Sequence, residues 1–88
     1  MQNKESQAEL ARRLEEANQQ VVVGAVYLHY KQKKYKVLGI ALLEATNEPC
    51  VIYQALYGKR LTFLRPVANW VEMVTWQGKT LPRFALVA

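Results

Sequence analysis

Aspartate is absent from this chain of 88 residues, and serine, histidine and cysteine occur once each, as Ser6, His29 and Cys50. That inventory removes several classes of chemistry. A serine, histidine and aspartate triad has no orienting acid, and the one serine stands where a helix begins. With a single cysteine no intramolecular disulfide can form, which excludes a bridge-stapled secreted scaffold. Structural zinc wants four ligands and catalytic zinc three, and one cysteine with one histidine supplies neither without glutamates from distant loops. Glu44, Glu48 and Glu72 show no ligand spacing, and the first two fall in or beside a turn, where solvated glutamates are usual. A Cys50 and His29 couple would need a depressed thiol pKa, whereas Cys50 heads an apolar strand, the setting of an inert buried thiol. The glycines, Gly24, Gly39, Gly58 and Gly78, stand apart and form no phosphate-cradling loop. No catalytic residue, metal or cofactor is therefore expected.

Long hydrophobic runs are missing too. The longest, "VVVGAVYL" and "VLGIALL", are far too short to span a bilayer, and "MQNKESQAEL" lacks the apolar centre of a signal peptide. These absences lead us to expect a cytoplasmic protein with no membrane partner.

What is present reads as one small globular domain: 51% of residues are hydrophobic and 22% charged, enough apolar surface for a single core. The net charge of +5 is uneven, because residues 1–20 hold three basic and four acidic side chains and residues 21–88 hold nine basic and three acidic. A basic body favours an acidic or polyanionic partner.

"SQAELARRLEEANQQ" predicts a helix, with Ser6 and Glu9 spaced as a capping box and Leu10, Leu14, Ala11 and Ala17 along one face. We read residues 1–20 as a helical extension that docks on the barrel or on a second copy, since so short a helix is marginal alone. From residue 21 the pattern turns to alternation with β-branched and aromatic residues, giving strands near Val22–Tyr30, Tyr35–Leu43, Cys50–Leu56, Leu61–Arg65, Val71–Trp76 and Leu81–Ala85. The connections are too short for crossover helices, so residues 21–88 are expected to form a small antiparallel barrel or roll of five to six strands. Pairing Tyr30 with Tyr35 would put Leu28 opposite Val37, with Gly39 at a bend or bulge.

Binding surfaces are suggested by two groups of residues. His29, Lys31, Lys33, Lys34 and Lys36 gather at one hairpin tip, interleaved with Tyr27, Tyr30, Tyr35, Tyr53 and Tyr57, a combination able to track phosphates and stack bases. The plain alternative is that tyrosines pack in strands and lysines solvate a tip or protect a sheet edge. Arg65 and Arg83 lie in apolar sequence, where a guanidinium is either paired internally, with Glu72 as candidate, or presented to a carboxylate or phosphate.

Together "YLHYKQKKYKVLGIA", "VIYQALYG", "FLRPVANWVEMV" and "GKTLPRF" resemble a bacterial family of small domains of unknown function, whose members read roughly HYKG, YKVLG, VVYQALYG, WVRP and VPRF. The resemblance covers residues 24–84 and implies an SH3-like roll. It matches at His29, Tyr30, Lys31, Tyr35, Gly39, Tyr53, Tyr57, Gly58, Arg65, Pro66, Pro82, Arg83 and Phe84. Gln32 stands where the family usually has a turn glycine, and Leu43 and Ala45 stand where many members carry a histidine and a carboxylate.

The expected function is a non-catalytic module binding a protein or peptide, acidic in character, with an exposed patch around Tyr53, Tyr57 and Trp70. The alternative is single-stranded RNA or DNA on the basic surface, and a third reading is a small-molecule or catalytic site at Arg65 and Arg83 with His29.

Overall fold

The structure, a computed structural model, describes residues 5–88. Ser6 opens helix α1 (Gln7–Gln20) by accepting the Glu9 N–H at 3.1 Å. Only half of a capping box forms, because the Glu9 carboxylate turns to Arg12 instead of back to the cap. Ala17 and the capping residue Val21 are buried on the sheet, Leu10 and Leu14 are half-buried, and Ala11 faces solvent. The helix therefore docks on the domain's own sheet, where Arg13 also donates to the Asn47 carbonyl.

Strands β1 (Val26–His29), β2 (Lys34–Leu43), β3 (Glu48–Ala55) and β4 (Thr62–Pro66) follow, then the one-turn helix α2 (Val67–Trp70), the strands β5 (Met73–Trp76) and β6 (Lys79–Pro82), and β7 (Phe84–Leu86). All pairings are antiparallel: β4-β3-β2-β1-β7 form a five-stranded sheet, and β5 and β6 form a separate hairpin. This is a small mainly β roll behind an N-terminal helix, as the alternation implied. No helix among the described residues is long and apolar enough to cross a membrane.

Among the described residues seven strands are found where five to six were expected, because the segment 81–85 is divided. Pro82 still pairs with Met73 of the hairpin, but Arg83 breaks the run: its N–H bonds the Glu72 carbonyl and its carbonyl takes the Tyr30 N–H. Phe84 then pairs with His29 in the main sheet. A period-two pattern shows strand character and cannot show that the chain changes sheets midway. Likewise the connection between the expected strands Leu61–Arg65 and Val71–Trp76 forms the one-turn helix α2. The first strand starts late because Val22 to Ala25 form a turn, with Gly24 at φ +88°.

The first hairpin also pairs differently. Tyr27, not Tyr30, lies opposite Tyr35, because the His29 N–H closes on the Lys33 carbonyl and ends the ladder early. That odd shift exchanges faces, so Tyr27 and Val37 are buried while Val26 and Leu28 are only partly covered. The register slips between Val37 and Gly39, leaving Leu38 as an unpaired bulge residue beside the expected glycine.

The core is aromatic at one end. Trp70 stacks on Phe84 with centroids 3.6 Å apart and planes at 4°, while Tyr53 and Tyr27 meet the Trp70 ring edge-on at 4.9 and 5.4 Å. Truncating Trp70 to alanine should cost about 3–5 kcal/mol of stability in urea denaturation. Trp76→Ala, at a ring that is 39% exposed, should cost well under half of that. A second outcome concerns Gln32, which holds φ +71°, a left-handed conformation that glycine adopts without steric cost. Gln32→Gly should raise stability by about 1 kcal/mol, read as a higher urea midpoint at unchanged slope.

Candidate functional site

Two turns stand side by side. The tip between β1 and β2 is held at Tyr30 by the Arg83 carbonyl and at Lys31, whose N–H donates to His29 Nδ1 at 3.1 Å. The tip between β5 and β6 is Gln77-Gly78, both at positive φ (52° and 77°), as a two-residue turn matching strand twist requires. Between them opens a cleft of about 360 Å³ walled by Tyr30, Lys31, Trp76 and Lys79, with Leu81 among its lining and no acidic side chain. Tyr30 and Trp76 meet edge to face at 5.3 Å, and the Lys31 ammonium lies 5.8 and 5.7 Å from the two ring centroids. At those distances each ring face attracts the cation and limits its range of motion.

A second group surrounds Phe84. His29, Tyr53 and Tyr35 approach its ring at 5.0, 5.7 and 5.9 Å, and the Arg65 guanidinium carbon lies 5.5 Å from its centroid. Arg65 donates from Nε to the Tyr53 hydroxyl at 3.2 Å and from Nη1 to Asn69 Oδ1. Arg83 donates to the Asn69 carbonyl and pairs with Glu72, each at 3.2 Å. The expected internal partner Glu72 thus belongs to Arg83 and not to Arg65. The Tyr35 and Tyr57 hydroxyls bond each other at 2.5 Å, and burial, with that bond, pushes Tyr35 up to about 12. Neither this cleft nor a smaller one of about 240 Å³ beside α1, at Arg13, Ala17 and Val67, is lined by Arg65, Arg83 or His29.

The structure divides the residues singled out from sequence. Tyr30 and Lys31 join the cleft; Lys33 sits over the Tyr57 ring at 5.1 Å, and Lys34 is exposed at the start of β2. Tyr53 and Trp70 are buried, so only Tyr57 of the expected aromatic patch reaches solvent. Cys50 is buried, its thiol pushed up by burial and then by Glu48, and its Sγ points to the Glu48 carbonyl and not to His29. Among the described residues no group of three or more His, Cys, Asp or Glu is placed to hold a metal. Sequence reasoning missed Trp76 and Lys79 as a wall of the cleft, although a Trp directly before the turn pair Gln77-Gly78 marks a hairpin tip. It also missed Asn69, which lies in the connection after Arg65 and bridges Arg65 to Glu72.

A model for a family of proteins of unknown function, DUF1653, matches residues 25–86. Among solved structures, the crystal structure of a DUF1653 protein from Bordetella bronchiseptica is similar, at 36% identity and a TM-score of 0.68, covering 73% of this chain and 85% of that one. No match is found among curated proteins.

His29 offers a direct check on the Phe84 group. Burial, followed by the charges of Arg65, Arg83 and Lys31, holds its imidazole below the ordinary 6.5. The unfolded chain therefore binds the proton first as pH falls, and the contribution of His29 to folding stability should decline from pH 6.5 down to the depressed value and level off below it. As the chain's one histidine its ring resonances are unambiguous, and an NMR titration midpoint at or above 6.5 would contradict the arrangement.

Proposed function

The chain belongs to the DUF1653 family of proteins of unknown function, and on that premise we propose that it is a non-catalytic module that takes an acidic peptide segment of a partner protein into the cleft between Tyr30 and Trp76. One observation carries this reading: the cleft brings two lysines and two aromatic rings together with no carboxylate in its lining. Lysine ammoniums draw carboxylates, and the ring surfaces and Leu81 accept apolar side chains between them. A volume of about 360 Å³ lies at the small end of ligand pockets and suits one or two side chains. The basic balance of residues 21–88 adds long-range attraction for an acidic partner.

A base sandwich is less well served here. Tyr30 and Trp76 meet at 67°, so they offer no pair of parallel faces between which a base could stack. The non-catalytic reading rests on the state of the two groups best suited to react: Cys50 is buried with a raised pKa, and His29 Nδ1 is occupied by a backbone N–H. A reducing cytoplasm suits the single thiol.

Fluorescence anisotropy with a labelled glutamate-rich peptide and with a mixed-sequence single-stranded RNA, at low and physiological salt, tests the proposal. Peptide binding should persist at physiological salt and weaken at least about tenfold in the Lys31→Glu, Lys79→Glu double variant, while RNA binding should fade steeply with salt. RNA retained at physiological salt with no peptide bound would replace the reading with nucleic-acid binding; binding of neither probe would remove it.

A further inference from the structure

Arg65 and Arg83 differ in one decisive respect. Arg83 has a carboxylate, Glu72 Oε1, at 3.2 Å. Every partner of Arg65 among the described residues is neutral: the Tyr53 hydroxyl, the Asn69 side-chain oxygen and the Phe84 ring. Its Nη2 has no protein acceptor among the described residues. Asn69 separates the charges, accepting from Arg65 through Oδ1 and donating from Nδ2 to Glu72 at 2.9 Å. For two guanidiniums there is one carboxylate, which Arg83 takes, and the uncompensated charge resides on half-buried Arg65, over the Phe84 ring.

A cation partly removed from water and lacking a counter-charge is costly, and an arginine with unpaired N–H groups is shaped to accept an oxyanion. Its orientation is set in advance: Nε and Nη1 are held by Tyr53 and Asn69, so little side-chain freedom remains to be lost on binding. The charge acts on its surroundings, lowering the pKa of His29 and opposing the rise at Tyr35.

We propose that Arg65 anchors a second binding site, separate from the cleft at Tyr30 and Trp76, that receives a single oxyanion group, a carboxylate or a phosphate, on the free Nη2 of its guanidinium. The site shares no lining residue with that cleft, so it stands or falls independently of the peptide proposal.

The test is an NMR titration of the full chain with inorganic phosphate and, separately, acetate, following the arginine Nε–Hε signals. The Arg65 signal should shift and saturate, and the stronger of the two probes identifies the source of the oxyanion. Asn69→Asp supplies a carboxylate where Nη1 now meets a neutral oxygen, so affinity should fall at least about tenfold in a folded protein, a change of about 1.4 kcal/mol or more. Arg65→Lys, which keeps the charge and loses the fork, should weaken binding as well, and Lys31→Glu with Lys79→Glu should leave it unchanged. A silent Arg65 signal with both probes, undiminished binding in Asn69→Asp, or loss of binding in the cleft variant would each overturn the proposal.

Discussion

The contact on which the rest of the molecule depends is the stack of Trp70 on Phe84. It joins the last residue of the one-turn helix to the first residue of the last strand, two segments too short to hold a position by themselves, and the bonds of Arg83 to Asn69 and Glu72 run beside it. Because Phe84 pairs with His29, the stack also holds the end of β1, and through it the hairpin tip that carries Tyr30 and Lys31. Tyr53 and Tyr27 close on the same indole edge-on, so the hub reaches β3 and β1 as well. A domain this small has one core, and most of its order at this end passes through two rings.

The surface features follow from that arrangement. Arg83, adjacent to Phe84, must leave one sheet and enter another, and its backbone is used in both directions, to Glu72 and to Tyr30. The same two bonds bring the tip of the first hairpin beside the hairpin of β5 and β6, and the acid-free cleft is the space left between them. On the other side of the ring cluster, Asn69 lies on the helix that Trp70 anchors, and it divides Glu72 from Arg65. One residue pair thus sets the positions of both an aromatic, cationic cleft and an arginine without a counter-charge.

Much of the fold was legible in the chain. Ser6 marked the helix start, alternation marked the strands, and short connections required antiparallel pairing. Gly39 marked a bulge, and Gln32 a turn whose backbone keeps the left-handed conformation of a glycine. The candidate sites were legible in part: Tyr30, Lys31 and Arg65 were among the residues named, whereas Trp76 and Lys79 come from a segment far along the chain from Tyr30, and Asn69, only four residues from Arg65, meets it because the one-turn helix folds the connection back.

What the sequence by itself determined were the periods, the turns and the inventory of groups, because these depend on single residues and their near neighbours. Which face of β1 is buried, where the chain changes sheets and which arginine receives Glu72 were decided only in the tertiary structure. Each is a competition between alternative partners that only the packed arrangement resolves. Tyr27 wins the core from Leu28 because an early hydrogen bond at His29 shifts the register by an odd step, and Arg83 wins Glu72 because Asn69 already occupies Arg65.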